Sequence, residues 1–165
     1  MKKRYLLGIL LLICALLLAA CADAQPEPEW LEITSHTIQY VYPGDYDRVQ
    51  PVFLMTSMED LAVYRAEAET AANKERLLEF LDGYTEEYFE DNILIAAFVS
   101  NGGGGVEDSL KGVWLDGTEA VVVIEHKLPP PNVGGPAVIV PLRFFAETKR
   151  GEIASVRRET ITVQG

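Results

Sequence analysis

The sequence predicts an α+β fold in which a mostly antiparallel β-sheet carries two or three helices, from about residues 57–90, on one face. Three observations predict it. Residues 57–90 place apolar side chains at helical spacing, residues 92–163 consist mainly of β-branched strand segments, and Asp116-Gly117 indicates a tight hairpin. Helices and strands that occupy separate parts of the chain are typical of α+β proteins.

The first strand signal lies in residues 30–42, WLEITSHTIQYVY, where β-branched and aromatic residues recur with a period near two. This stretch predicts one strand or two short ones. Pro43-Gly44-Asp45 indicates a turn, and residues 52–56 then predict a short buried strand.

Three helical segments are expected next. The hydroxyl of Ser57 predicts the start of a helix that ends near Ala68, because acidic residues follow in the first turn. A second helix is expected from Ala71 to Leu81. Thr85 is expected to cap a further short turn that runs through Phe89.

The rest of the chain predicts strands. Residues 93–100 form a continuous apolar run, which favours a central strand covered on both faces. The other strands are expected at residues 106–115, 119–128, 137–145 and 155–163.

The first twenty residues predict a secretory signal peptide. A tripositive start, Met1-Lys2-Lys3-Arg4, precedes an apolar run from Tyr5 to Leu18, and this order is typical of exported proteins. Leu18-Ala19-Ala20-Cys21 resembles the lipobox of bacterial lipoproteins at every position. The resemblance implies cleavage between Ala20 and Cys21, and attachment of a diacylglyceryl group to the Cys21 sulfur.

A transmembrane anchor is the alternative to a cleaved signal. The apolar run is about 16 residues, whereas a spanning helix needs about 20, and a cysteine follows it instead of a positive cluster. The lipoprotein interpretation is favoured, which places the mature protein on the outer face of a cell membrane. Its lipid would be the membrane contact.

The sequence then divides into a signal peptide (1–20), a lipidated cysteine with a Pro/Glu tether (21–29) and one globular domain (30–165). The 145 residues that remain after cleavage are enough for one hydrophobic core. Cys14 is lost with the signal, so Cys21 has no cysteine with which to form an intrachain disulfide.

The mature chain is strongly acidic. Three of the 14 basic side chains leave with the signal and all 25 acidic ones stay, so residues 21–165 carry a formal charge of −14. Such a charge repels phosphates and excludes nucleic-acid binding. Residues 59–91 hold eleven acidic and three basic side chains, which indicates either a solvated helix face or a docking surface for a cationic partner. Weak Ca²⁺ association is a further option, but no EF-hand spacing is present.

No residue pattern predicts catalysis, a metal or a cofactor. The glycines after Asn101 lead to Val106-Glu107-Asp108, and not to the Lys-Ser/Thr pair of a phosphate-binding loop. His36 and His126 lack the close spacing of a zinc site. A hydrolase that uses His126 with Glu125 is the remaining enzymatic option, although no serine lies in a Gly-x-Ser-x-Gly motif.

Two loops are the best candidates for a contact region. A proline-rich loop presents a stiff surface of low entropy and carries little charge, and a glycine-rich loop accommodates a peptide. The expected contact residues are Gly102, Gly103, Gly104, Gly105, Pro129, Pro130, Pro131 and Asn132.

One stretch resembles a known group. Residues 81–95, LDGYTEEYFEDNILI, resemble a segment that recurs in uncharacterised lipoproteins of Firmicutes-type bacteria, where a Y-x-E-x-F-F-x-x-N-x-L motif precedes a strand and two hairpins. The wider layout is more distantly similar to the C-terminal domain of the PrcB type, which is linked to stabilising a surface protease complex. No site residue is carried over from either resemblance.

These observations predict a non-enzymatic, membrane-anchored interaction domain that binds a protein or peptide, supporting an envelope protease or an assembly. The alternative is a lipoprotein that binds a small ligand such as a sugar or peptide fragment. That alternative expects an aromatic pocket lined by Tyr40, Tyr42, Tyr46, Trp114 and Phe144.

Overall fold

The computed structural model describes residues 28–42, 49–101, 105–132 and 140–165. The predicted signal peptide, the lipidation site at Cys21 and most of the tether lie outside these residues. The predicted α+β class is confirmed. Its elements are β1 (Glu29–Trp30), β2 (Ile33–Tyr40), β3 (Val52–Met55), α1 (Met58–Ala68), α2 (Lys74–Leu81), α3 (Glu86–Asp91), β4 (Asn92–Asn101), β5 (Glu107–Asp116), β6 (Glu119–Leu128), β7 (Val140–Lys149) and β8 (Ser155–Gln164).

The strands form two sheets of four, where the sequence had predicted one sheet. The outer sheet has the order β1-β5-β6-β8, and the central sheet has the order β2-β7-β4-β3. All neighbouring strands are antiparallel except β6 and β8, which are parallel. The chain crosses between the sheets after Trp30, because β1 pairs in the outer sheet and β2 in the central sheet.

The central sheet is covered on both faces, as predicted for β4. Successive side chains of a strand point to opposite faces, so Leu94 and Ala96 pack with the helices while Ile93 and Ile95 face the outer sheet. The layers are therefore helices, central sheet and outer sheet. Burial in two apolar cores, one on each side of the central sheet, stabilises this arrangement.

The predicted helix caps at Ser57 and Thr85 are confirmed. The Asp60 N–H donates to Oγ of Ser57 at 3.2 Å, and the Tyr88 N–H donates to Oγ1 of Thr85 at 3.3 Å. Each bond satisfies a backbone donor that the first helical turn leaves free. None of the helices in the described ranges combines the length and apolarity needed to cross a bilayer.

The second helix starts later than the sequence predicted. It begins at Lys74 instead of Ala71, since residues 71–73 form a turn. In this turn the Ala72 N–H donates to the Tyr42 carbonyl at 2.8 Å, and the side chain of Asn73 makes no capping bond to its own helix. The turn therefore attaches the helical layer to the chain just after β2.

Candidate functional site

The glycine-rich and proline-rich loops lie at the same end of the two sheets. Asn101, the last residue of β4, pairs with Val140, the first residue of β7. Glu107, the first residue of β5, pairs with Lys127 near the end of β6. Both loops therefore leave and re-enter the sheets at this end, which we call the loop end.

The two loops contact each other at their bases. Gly105 has a φ of +83°, and a Cβ at this position would lie 3.3 Å from the Cβ of Pro129. Residues 130–132 are exposed beside it. The described part of the expected contact region thus forms one exposed rim, while residues 102–104 lie outside the described ranges.

The N-terminal strand enters at the opposite end, which we call the tether end. Glu29 pairs with Leu115 and Trp30 pairs with Trp114, next to the Asp116-Gly117 hairpin. β5 has ten residues, and a strand rises about 3.3 Å per residue, so the two ends lie about 30 Å apart.

Trp30 fixes the start of the domain to the outer sheet. A Cβ at Gly112 would lie 2.7 Å from Cζ3 of Trp30, so the close approach of this ring requires glycine. The Leu31 N–H donates to the Val113 carbonyl at 2.8 Å. The direction in which the chain leaves the domain towards its N-terminus is therefore set at residue 29.

A histidine–carboxylate pair lies near the loop end. Nδ1 of His126 in β6 is 2.7 Å from Oδ1 of Asp108 in β5, and the Asp108 side chain is wholly buried whereas His126 is 23% exposed. Glu125, which the hydrolase hypothesis paired with His126, is opposite Ser109 in the hairpin. Because neighbours in a strand point to opposite faces, Glu125 lies on the other side of the outer sheet.

Arg158 of β8 adds a positive charge to this pair. Burial lowers the pKa of the Arg158 guanidinium, and the carboxylate of Asp108 partly offsets that effect. The guanidinium donates to the Phe98 carbonyl of β4, so it also joins the outer sheet to the central sheet. The buried carboxylate can orient the imidazole and balance the guanidinium, which is a structural role. Of the pair, only His126 is partly exposed.

The two histidines do not come together. His36 lies in β2 of the central sheet and His126 lies in β6 of the outer sheet. Across the described ranges, no group of three or more His, Cys, Asp or Glu side chains has the geometry to hold a metal ion.

Basic residues of the C-terminal part reach back to the helical layer. Nη2 of Arg143 is 2.8 Å from Oε1 of Glu67, and Nη1 of Arg150 donates to the Phe89 carbonyl at 2.6 Å. Some of the opposite charges that the sequence separates along the chain are therefore in contact in the fold. The acidic layer keeps its excess of negative charge, because most of its carboxylates are not used in this way.

The aromatic residues expected to line a pocket do not converge. Phe144 is buried in the core between the sheets, and Trp114 lies beside Trp30 in the outer sheet. Tyr40 and Tyr42 are exposed along and just after β2, and Tyr46 lies outside the described residues. Tyr40 instead borders a groove of about 480 Å³ between β2 and α2.

Comparisons of the chain with protein families, with curated proteins and with solved structures find no significant match.

Proposed function

We propose that the protein is a non-enzymatic lipoprotein, anchored through Cys21 to the outer face of a cell membrane, whose loop end binds a protein or peptide. The observation that carries the proposal is the position of the tether end and the loop end at opposite ends of the same sandwich. If the chain is held at Cys21, its loops point away from the bilayer.

The dimensions suit this arrangement. Residues 21–28 contain two prolines and two acidic residues, and a chain of this length, if extended, spans about 3 Å per residue, or about 25 Å in all. The folded domain adds about 30 Å more. The rim at Gly105 and Pro129 would then stand well clear of the lipid head groups.

The rim has the physical character of a contact surface. Proline fixes the backbone before binding, so little conformational entropy is lost when a partner docks. The two sheets supply a rigid support for the loops. The formal charge of −14 on residues 21–165 favours a partner that carries positive charge, because it increases the rate of encounter.

Site-specific photocrosslinking in the source bacterium tests the proposal. A photoreactive amino acid is placed in the full-length protein at Pro130 or Asn132 in the loop end, and at Gly117 or Gly151 in the tether end as matched exposed controls. We expect one protein to be crosslinked from both loop-end positions and from neither control. Crosslinking of the same proteins from all four positions, or from the controls alone, would contradict the proposal.

A further inference from the structure

β2 lies at the edge of the central sheet and leaves one side of its backbone unpaired. It pairs with β7 on one side only, and the Val41 N–H donates to the Pro141 carbonyl on that side. In an antiparallel strand the residues alternate in the side to which their N–H and C=O point. The backbone N–H and C=O groups of His36 and Ile38 therefore point away from β7. The described part of the chain supplies no hydrogen-bond partner for these groups.

Asn73 occupies the next position along this edge. Its Nδ2 donates to the Tyr40 carbonyl at 2.5 Å, and its Oδ1 accepts from the Tyr42 N–H at 3.0 Å. One side-chain amide thus makes both bonds that the N–H and C=O of a single residue in an added strand would make. The edge is therefore able to pair with a strand, and Asn73 marks where that pairing ends.

The side chains around the edge also suit an added strand. Ile38 is 45% exposed and Tyr40 is 58% exposed on the face towards the outer sheet. A groove of about 480 Å³ follows this edge, lined by Ile38, Gln39 and Tyr40 of β2, by Asn73, and by Arg76, Glu79 and Phe80 of α2. An added strand would bury apolar surface and place alternate side chains in the groove.

We propose that an extended segment of another protein binds to β2 as a fifth strand of the central sheet, next to His36 and Ile38. Strand addition of this kind takes affinity from backbone hydrogen bonds and specificity from alternate side chains. The segment is expected to be apolar at every second residue, to pack on Ile38 and Tyr40. Its other residues face a groove that holds both Arg76 and Glu79. The formal charge of −14 on the mature chain favours basic residues there through long-range attraction.

A second copy of this chain does not fit the edge. Two β2 strands from two copies can pair symmetrically, through the same backbone N–H and C=O groups in each copy, only when they run antiparallel. The tether ends of the two copies would then point in opposite directions, which one membrane surface does not allow. This argument rests on the proposed membrane anchor, and two copies with a charge of −14 would also repel each other.

A labelled peptide and one backbone substitution test the proposal. The probe is a dye-labelled octapeptide of alternating lysine and valine, and its binding to the full mature chain is followed by fluorescence anisotropy. Ile38→Pro removes an N–H that lies outside the β2–β7 ladder, and proline is tolerated at such edge positions. Ile38→Ala is the matched control, because it removes the same side chain and keeps the N–H.

We expect Ile38→Pro to weaken peptide binding by at least about tenfold and Ile38→Ala by less than about threefold. Equal binding by both variants, or no binding to the unsubstituted protein up to about 1 mM peptide, would overturn the proposal. His36→Pro removes the other outward N–H and replaces Ile38→Pro if that variant does not fold.

The result also separates this inference from the proposed function on which it rests. If peptide binding is equal in Ile38→Pro and Ile38→Ala but the loop-end crosslink forms, strand addition at β2 is wrong and the binding function stands. If the peptide binds in an Ile38-dependent way but no loop-end crosslink forms, the assignment of binding to the loop end is wrong.

Discussion

Glu67 in α1 holds the guanidinium of Arg143 in β7, with 2.8 Å between Oε1 and Nη2. Arg143 is only 2% exposed, and its guanidinium carbon lies 5.4 Å from the ring centroid of Tyr64 and 4.9 Å from that of Phe98. Among the described residues, the carboxylate that pairs with this buried cation is that of Glu67, and the pair joins the helical layer to the central sheet.

Glu67→Gln is expected to lower the free energy of unfolding by about 2 kcal/mol, because it leaves the Arg143 charge buried without its counter-ion. Urea denaturation measures the loss. Asp82→Asn is the matched control, since it breaks the exposed Arg65–Asp82 pair of 2.7 Å, and such pairs contribute about 0.2–1 kcal/mol. Equal losses in the two variants would contradict the account of Arg143.

Gly112→Ala is expected to displace the Trp30 ring, because the new Cβ would lie 2.7 Å from Cζ3 of that ring. We expect a red-shifted tryptophan emission and faster proteolysis near the N-terminus of the domain. Gly151→Ala is the control, as a Cβ there meets no atom within 4 Å. An unchanged emission spectrum in Gly112→Ala would show that the ring does not depend on this contact.

The stability contributed by Asp60 is expected to depend on pH. Burial raises the pKa of this carboxyl, but hydrogen bonds from Thr56 and Ser57 outweigh burial, and the pKa lies below the ordinary value of 3.8. A depressed pKa in the folded state gives stability that is present above the unfolded value and lost as the pH falls through the folded value. Asp60→Asn should therefore destabilise the protein at pH 7 and progressively less below pH 3.8.

This difference is measured by urea denaturation of both proteins across the acid range. A loss of stability in Asp60→Asn that stays constant down to the lowest pH would mean that the carboxylate charge is not what Thr56 and Ser57 stabilise.

Asn73→Ala is expected to expose the edge at Tyr40 and Tyr42, at a cost of about 1 kcal/mol for the lost bonds. Amide hydrogen exchange at Tyr42 should accelerate, because its acceptor is the removed side chain. Exchange at Val41 serves as the internal control, since its acceptor is the Pro141 carbonyl. Acceleration at both amides would indicate general fraying of β2 instead.

The sequence predicted most elements because their signals are local. The caps at Ser57 and Thr85 and the Asp-Gly turn depend on neighbouring residues alone. β7 runs to Lys149, past the predicted end at Phe145, for reasons that are not local. Thr148 is buried and donates to the Glu32 carbonyl at 2.8 Å, far away in sequence.

The pairing of His126 with Asp108 shows why the candidate site could not be predicted in full. The Asp116–Glu119 register of the hairpin, continued without interruption, would place Ser109 opposite His126. A bulge between Leu110 and Gly112 shifts the register by one residue and brings Asp108 into place. Gly112, an isolated glycine inside the predicted strand, is a sequence signal for a bulge, but it does not give the resulting register.

The separation of the two ends also depends on topology. Strand order and strand pairing place the loops at one end and Trp30 at the other. Local sequence patterns specify neither the strand order nor the pairing. The sequence identified the loops and the tether as separate features, and their relation came only from the fold.

Energy transfer between the protein and a labelled membrane tests the central claim most directly. Lipidation at Cys21 would leave an introduced cysteine as the only free thiol of the mature chain, so one dye can be placed at Gly117→Cys or at Asn132→Cys. In vesicles with acceptor dye on the lipid head groups, we predict strong transfer from Gly117→Cys and weak transfer from Asn132→Cys. Equal transfer from the two positions, or stronger transfer from Asn132→Cys, would contradict the claim that the loop end faces away from the membrane.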